Sequence, residues 1–516
     1  MNAFVVHDGF EQKKTQVGKW YNTDVITHSR RLERYFAPFR KNVVGYDASF
    51  RTPYGRKPLV YADWTASGRL YAPIERKLTE EFGPLVGNTH TEATITGTTM
   101  TAAYHAAKEI IKRHVNAGRE DVVIPVGSGM TGAILKLQRI LGLKVPEEWR
   151  KKIKIPERLR PVVFVTHMEH HSNHTTWLET IADVEVIRHD EKGLVDLDHL
   201  ETLFHKYRAR KTKIAAVTAC SNVTGILTPC HAFARIAHKH GGLCFVDFAA
   251  AAPYVPVNMH PKNKLEKLDA IYFSPHKFLG GPGSSGILVF DSRLYHLSSP
   301  DQPGGGTITW TNPWGEHHYF KDIELREDGG TPAFLQTIKA GLAIRLKEVM
   351  GARNMIAREK ELLPHIFKKL CAVRGLTVLA GNIKDRLGII SFIIDGLHYN
   401  LGVKLLNDLF GIQTRGGCAC AGTYGHYLFH ISRRKSKEIT KRIDKVDLSE
   451  KPGFMRLSIH PVMTNREVEY VCRAVEELAA RHRAWSKDYV YNPHTNEFRH
   501  RKESKHAQDM RKFFEF

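Results

Sequence analysis

Between about residues 120 and 290 the chain alternates short apolar runs with segments whose apolar residues recur every three to four positions. Val122–Val126 leads into a glycine turn and a helical pattern over Gly132–Leu143, and Val162–Thr166 and Val184–His189 are further strand-like runs. Leu197, Leu200, Leu203 and Phe204 share one face of a helix predicted over Asp196–Arg210, with Asp196 as its N-cap. Ile214–Ala219, Leu243–Phe248, Ile271–Phe273 and Ile287–Phe290 read as strands, and Cys230–His240 as a helix. The strand runs are continuous in Val, Ile and Ala and do not alternate with polar residues. Such runs belong to strands covered on both faces, hence to a mainly parallel sheet in an α/β domain. Ligands bind such sheets at the carboxyl ends of the strands.

A Gly/Pro-rich stretch at 303–332 precedes a long helical pattern from Leu335 to about Leu370. Leu376–Leu379, Leu387–Ile394, a helix over Tyr399–Phe410, a strand over Phe454–Ile459 and an amphipathic helix over Asn465–Arg483 predict a smaller α+β domain. The expected organisation is an N-terminal extension (1–60), a large α/β domain (61–335), and a linking helix with the small domain (336–485). A surface insertion falls at about 424–452, and a basic tail at 486–516 is expected to be extended or docked on a partner.

A chain of 516 residues with 42% hydrophobic and 25% charged residues has the composition of a soluble globular protein. No apolar stretch reaches the length of a membrane span, and the first residues lack a basic-then-apolar secretory pattern. Seven cysteines, several within apolar runs, fit free thiols in a reducing compartment, with cytoplasm the default. The net charge of +22 raises nucleic-acid binding, but the Lys and Arg are spread along the chain without a nucleic-acid-binding signature. Solvated surface is the better reading, and an anionic partner protein would use the same charges.

Candidate chemistry gathers at the predicted strand ends. Lys277 lies in Ser274-Pro275-His276-Lys277-Phe278-Leu279-Gly280-Gly281, just after a strand, as an amine held for Schiff-base chemistry would. Asp247 ends the preceding buried run, where a carboxylate can keep a pyridine nitrogen protonated so that the ring accepts electrons. Gly127-Ser128-Gly129-Met130-Thr131-Gly132 opens a helix after a strand and can cradle a phosphate. Glu169-His170-His171-Ser172-Asn173 offers an imidazole to stack on an aromatic cofactor, and Asn222 in Ser221–Gly225 offers an amide. Arg415-Gly416-Gly417-Cys418-Ala419-Cys420-Ala421-Gly422 reads as an exposed, mobile loop suited to a reactive thiol; one Cys-x-Cys without a second pair does not make a zinc site. Arg456 on a strand can bind a carboxylate in bidentate fashion, or be a solvated edge charge.

These segments, with Tyr61–Ser67, Asn88-Thr89-His90 and Glu327–Pro332, resemble the cysteine desulfurase/selenocysteine lyase group of the class V aminotransferase family over about Tyr61–Arg483. The resemblance implies pyridoxal-phosphate fold type I: a mainly parallel seven-stranded sheet flanked by helices, with a smaller C-terminal α+β domain. It implies pyridoxal 5'-phosphate carried by Lys277, with Asp247 on the pyridine nitrogen, His170 on the ring and Asn222 on the phenolic oxygen. Ser128, Gly129 and His276 would hold the phosphate, and Thr307, in a loop at Gly304–Thr307, would add a contact across a homodimer. Arg456 would hold the substrate carboxylate, with Asn173, His90, Ala66 and Arg415 around the substrate. Lys277, His170 and Cys420 would be catalytic: the Cys420 thiolate would take sulfur from L-cysteine, leaving alanine and a persulfide for an acceptor protein. The sequence departs from the group's pattern in having Ala250 where a Gln is usual, Ser128-Gly129-Met130 where Thr-Thr is common, and Cys418 where His is frequent. Other class V chemistry (a selenocysteine lyase, C–S lyase, epimerase or aminotransferase) and a non-catalytic basic scaffold keeping the fold stay open.

Overall fold

The structure is a computed structural model that describes residues 30–127, 129–502 and 510–515. Its centre is a seven-stranded sheet of β1 (Asp121–Val126), β2 (Val162–Thr166), β3 (Asp183–Ile187), β4 (Lys213–Thr218), β5 (Leu243–Asp247), β6 (Ala270–Phe273) and β7 (Gly286–Asp291), in the spatial order β1-β7-β6-β5-β4-β2-β3. β7 runs antiparallel to both β1 and β6, and the remaining neighbours are parallel. Every residue of β2, β4 and β6 is buried, because helices cover both faces.

One face is covered by Leu197–Lys206, capped by the Asp196 side chain accepting from His199 N at 2.9 Å, and by Cys230–Lys239. The other is covered by Gly129–Ile140, which starts three residues later in the sequence pattern than in the fold. The single helix expected over Leu335–Leu370 is two, Phe334–Met350 and Ala352–Cys371, broken at Gly351, whose φ of +75° a helix cannot continue through.

The smaller half is a four-stranded antiparallel sheet of β8 (Leu376–Val378), β9 (Ile389–Ile394), β10 (Arg415–Gly417) and β11 (Phe454–Ser458), in the order β8-β9-β11-β10. The sequence pattern predicts no strand at β10, since Arg-Gly-Gly carries no strand propensity; pairing with β11 forms it. The helix Asn465–Trp485 closes this half, started by a capping box between Thr464 and Glu467. Val60–Tyr61 pairs in parallel with Ile412–Gln413, so the segment before the large sheet is woven into the smaller half. The stretch 424–452 carries a basic helix, Arg433–Ile443. Residues 489–500 do not run out as a tail: Tyr489–Asn492 and Glu497–His500 form a hairpin, held by Asn496 Nδ2 donating to Tyr399 Oη at 2.6 Å and Tyr489 Oη to Asp408 at 2.8 Å. Among the described residues no helix is long and apolar enough to cross a membrane.

Candidate active site

A cavity of about 220 Å³ opens where the carboxyl ends of β1, β2, β4, β5 and β6 meet β10 and β11. The large sheet supplies Gly129, His170, Asn222, Asp247, His276 and Lys277 to its wall; the smaller half supplies Arg415, Cys420 and Arg456. Ala66 reaches it from the segment after Val60–Tyr61.

One end of the cavity is built for an anion. The helix Gly129–Ile140 points its N-terminus there, with Met130 N donating to Ser274 Oγ at 2.8 Å and Thr131 Oγ1 2.7 Å from Ser172 Oγ. Gly129 has φ of +59°, and a Cβ on it would lie 3.1 Å from Ser274 Oγ, narrowing the cradle. Ser128, expected in this cradle, lies outside the described residues. Burial holds His276 neutral, lowering its pKa to about 4, with the Lys277 charge adding to the effect.

Asp247 lies at the end of β5, buried, with Oδ1 accepting from Ala249 N at 2.8 Å. Burial pushes its pKa up to about 6, against the opposing pull of that N–H and of Lys277. The Lys277 ammonium is itself depressed, first by burial and then by Arg456, while Asp247 acts to raise it. His170 is pushed down to about 3 by burial and by the Lys277 charge. Its Nδ1 accepts from Ser172 N at 3.1 Å, which leaves the proton of the neutral ring on Nε2.

Behind His170, the buried Glu169 accepts from Thr166 Oγ1 at 2.6 Å, Thr218 N at 2.9 Å and Asn173 Nδ2 at 2.7 Å. Burial nonetheless pushes its pKa up to about 8. Asn173, expected beside the substrate, is instead fully buried in the sheet: its Oδ1 accepts from Tyr272 Oη at 2.6 Å and its Nδ2 also donates to Ala216 O at 3.2 Å. Glu169 and Asn173 thus tie β2, β4 and β6 together beneath the cavity.

Two further expected residues lie elsewhere. His90 is exposed and faces the turn at Gly306. Thr307, in that same turn, is buried and uses its hydroxyl on Gly304 O at 2.6 Å, away from its own chain's cavity.

Three hydrogen bonds tie the cysteine loop to the large sheet's half. Cys420 O accepts from His171 N at 2.7 Å, Ala419 O from Asn222 Nδ2 at 2.6 Å, and His171 Nε2 from Gly422 N at 2.9 Å. Ala419 and Cys420 are both left-handed, at φ of +48° and +56°, a conformation costly for residues with a Cβ. Cys420 is exposed and lines the cavity; Cys418 is half-buried and does not, and both are free thiols.

Asp63, in the Tyr61–Ser67 segment, carries no sequence signal of its own for a role. It joins the two arginines: Oδ1 is 2.7 Å from Arg456 Nη2 and Oδ2 is 3.1 Å from Arg415 Nε. Arg456 also donates to Asn222 O at 2.9 Å. Three buried polar atoms of cavity-lining residues, Thr65 Oγ1, Asn222 Oδ1 and Arg456 Nε, have no protein partner. A polar occupant of the cavity could satisfy them.

A profile of the family described as aminotransferase class V matches residues 60–471. The chain belongs to that family. The probable cysteine desulfurase of Halalkalibacterium halodurans is 28% identical over 368 residues, 70% of this chain and 84% of the relative. The cysteine desulfurase of Synechococcus elongatus is 27% identical over 369 residues, 71% of this chain and 55% of the relative. The apo cysteine desulfurase of Thermococcus onnurineus NA1 superposes with a TM-score of 0.67 at 23% identity, over 86% of this chain and 98% of that one. The Escherichia coli cysteine desulfurase CsdA gives 0.65 at 23% identity, with the same coverage of 86% and 98%. At these identities the solved structures speak for the fold, which is fold type I of the pyridoxal-phosphate enzymes.

Class V enzymes depend on pyridoxal phosphate, and the donor set fits that group. A helix N-terminus with hydroxyls suits its phosphate, a buried carboxylate suits its ring nitrogen, and an amine of lowered basicity lies in the same cavity.

Proposed function

We propose that this chain is a cysteine desulfurase: it takes sulfur from L-cysteine, leaving L-alanine and a persulfide on Cys420. The observation that carries the reading is that Cys420 lines the same cavity as Lys277, Asp247 and Arg456. A class V enzyme working elsewhere on its substrate needs no thiol at that place.

The cofactor supplies an electron sink for charge developing on the substrate carbons. Around it, Arg456 binds and orients the substrate carboxylate, with Asp63 and Asn222 O fixing its guanidinium. Lys277 Nζ, kept from full basicity by burial, would hold the cofactor and, once freed by substrate, would move the substrate's α-proton. Asp247 would hold the proton of the cofactor's ring nitrogen, Asn222 and His276 would position its ring and phosphate, and His170, neutral with its proton on Nε2, would lie against the ring and offer that proton. The Cys420 thiolate attacks the substrate sulfur: an S–S bond forms, the substrate's C–S bond breaks, and its electron pair stays on carbon, which is protonated to give alanine. The persulfide sulfur then passes to an acceptor protein, for which the exposed position of Cys420 gives access.

The working unit in this reading is a homodimer, with the Gly304–Thr307 turn serving the partner's phosphate site. Support comes from that turn lying away from its own cavity and from exposed Trp310 and Trp314 just beyond it. A cytoplasmic location accords with seven free cysteines.

The test is a visible spectrum of the purified protein before and after L-cysteine, with alanine assayed in parallel. Cofactor absorbance that responds to L-cysteine, with alanine released, is expected. Full alanine output from Cys420→Ser would sink the sulfur-transfer reading and leave another class V activity.

A further inference from the structure

On the outer face of the large sheet's helical cover, three side chains converge that the proposed reaction does not use. Glu201 and His205 stand four residues apart in the helix Leu197–Lys206 and so project from one face, a turn apart. His240 is the C-cap of the neighbouring helix, Cys230–Lys239. One ligand atom from each of Glu201, His205 and His240 lies within 4.8 Å of the others. Donors on a tetrahedral ion with bonds of about 2.1 Å are separated by about 3.4 Å, so small side-chain rotations close the set.

The arrangement is partly ordered already. His240 Nε2 is 3.0 Å from Glu201 Oε1, and its ring stacks on the fully buried Phe204 at 5.5 Å and 14°. The His205 ring meets the His240 ring edge-on at 4.7 Å, and among the described residues neither His205 ring nitrogen makes a hydrogen bond. A plain Glu201–His240 ion pair therefore accounts for two of the three groups and leaves His205 unexplained.

We propose that Glu201, His205 and His240 bind a zinc-class divalent cation, with water in the fourth position. Two imidazoles and one carboxylate suit zinc; calcium and magnesium call for oxygen donors, of which this site offers one side chain. The ion would clip the two helices together just ahead of β5, the strand that ends in Asp247.

The test uses the full chain loaded with cofactor, stripped with a chelator, in a Cys371→Ser/Cys418→Ser/Cys420→Ser background so that the accessible thiols do not compete for metal. Equilibrium dialysis against zinc should show one tightly held ion, and zinc should raise the unfolding temperature. His205→Ala, on the exposed side, should weaken binding at least tenfold, since loss of an outer-shell partner alone costs about 10–100-fold. His205→Cys should restore it, and cofactor absorbance should be the same throughout. The proposal is overturned if His205→Ala binds zinc as tightly as its parent, or if the parent takes up no zinc.

Discussion

Asp63 sits between Arg456 and Arg415, one carboxylate oxygen on each. The two arginines are directly opposed across β10 and β11, a like-charge pairing that is unfavourable on its own. Asp63 offsets it and fixes the buried Arg456 fork. Asp63→Ala should cost about 3 kcal/mol of stability by stranding a buried charge. It should also raise KM for L-cysteine, because the fork loses its orientation. Asp63→Asn, which keeps one accepting oxygen but not the charge, should recover only a small part of the stability and keep the raised KM. Urea unfolding with initial rates separates the two effects, and a wild-type KM in both variants would end the orientation argument.

The two thiols of the loop should behave differently, because only Cys420 lines the cavity. Cys420→Ser should lower alanine formation at least about a hundredfold, and Cys418→Ser no more than about threefold. Intact-mass measurement after one turnover should find the added sulfur on the Cys418→Ser protein and none on Cys420→Ser.

Cofactor retention should depend on acid through Asp247. Its pKa is raised to about 6, and binding a protonated ring nitrogen requires the ionised carboxylate. Affinity for pyridoxal phosphate should therefore fall as pH drops below about 6. Asp247→Asn should bind weakly at every pH and lose that dependence; fluorescence titration of stripped protein reads both.

Stability should carry a second, opposite pH dependence. Glu359 is buried with Oε2 accepting from Gly388 N at 3.1 Å and Oε1 unpartnered, and burial pushes its pKa from 4.5 to about 8. A carboxyl whose folded pKa is raised contributes stability fully below about pH 4.5 and loses it as pH climbs through about 8. Glu359→Gln should flatten that decline, measured as denaturation midpoints across the window. An unchanged slope would assign the pH dependence to other groups, Glu169 first among them.

What could be read from sequence was what is local. Asp247 ends one buried strand and Lys277 follows another, and the strand runs announce themselves by continuous apolar residues. What escaped depends on neighbours far along the chain. Asn173 resembles a substrate contact until Tyr272 from β6 arrives to take its Oδ1. Arg415–Gly417 becomes a strand only against Phe454–Ser458. Asp63 acquires meaning only when β10 and β11 bring two arginines to it. The break at Gly351 was the exception: a glycine in a helical run was visible, but its left-handed φ was not.

The pairing of Val60–Tyr61 with Ile412–Gln413 sets an order of assembly during synthesis. All seven strands of the large sheet lie within residues 121–291, so that sheet has its whole sequence while 412 is still unmade. At about 5–20 residues per second, the early strand waits tens of seconds for its mate. Asp63 waits longer still, for Arg456. A nascent chain released early would present Lys277 and Asp247 with no arginine facing them, and an unpaired edge at residues 60–61 open to a neighbouring ribosome's product.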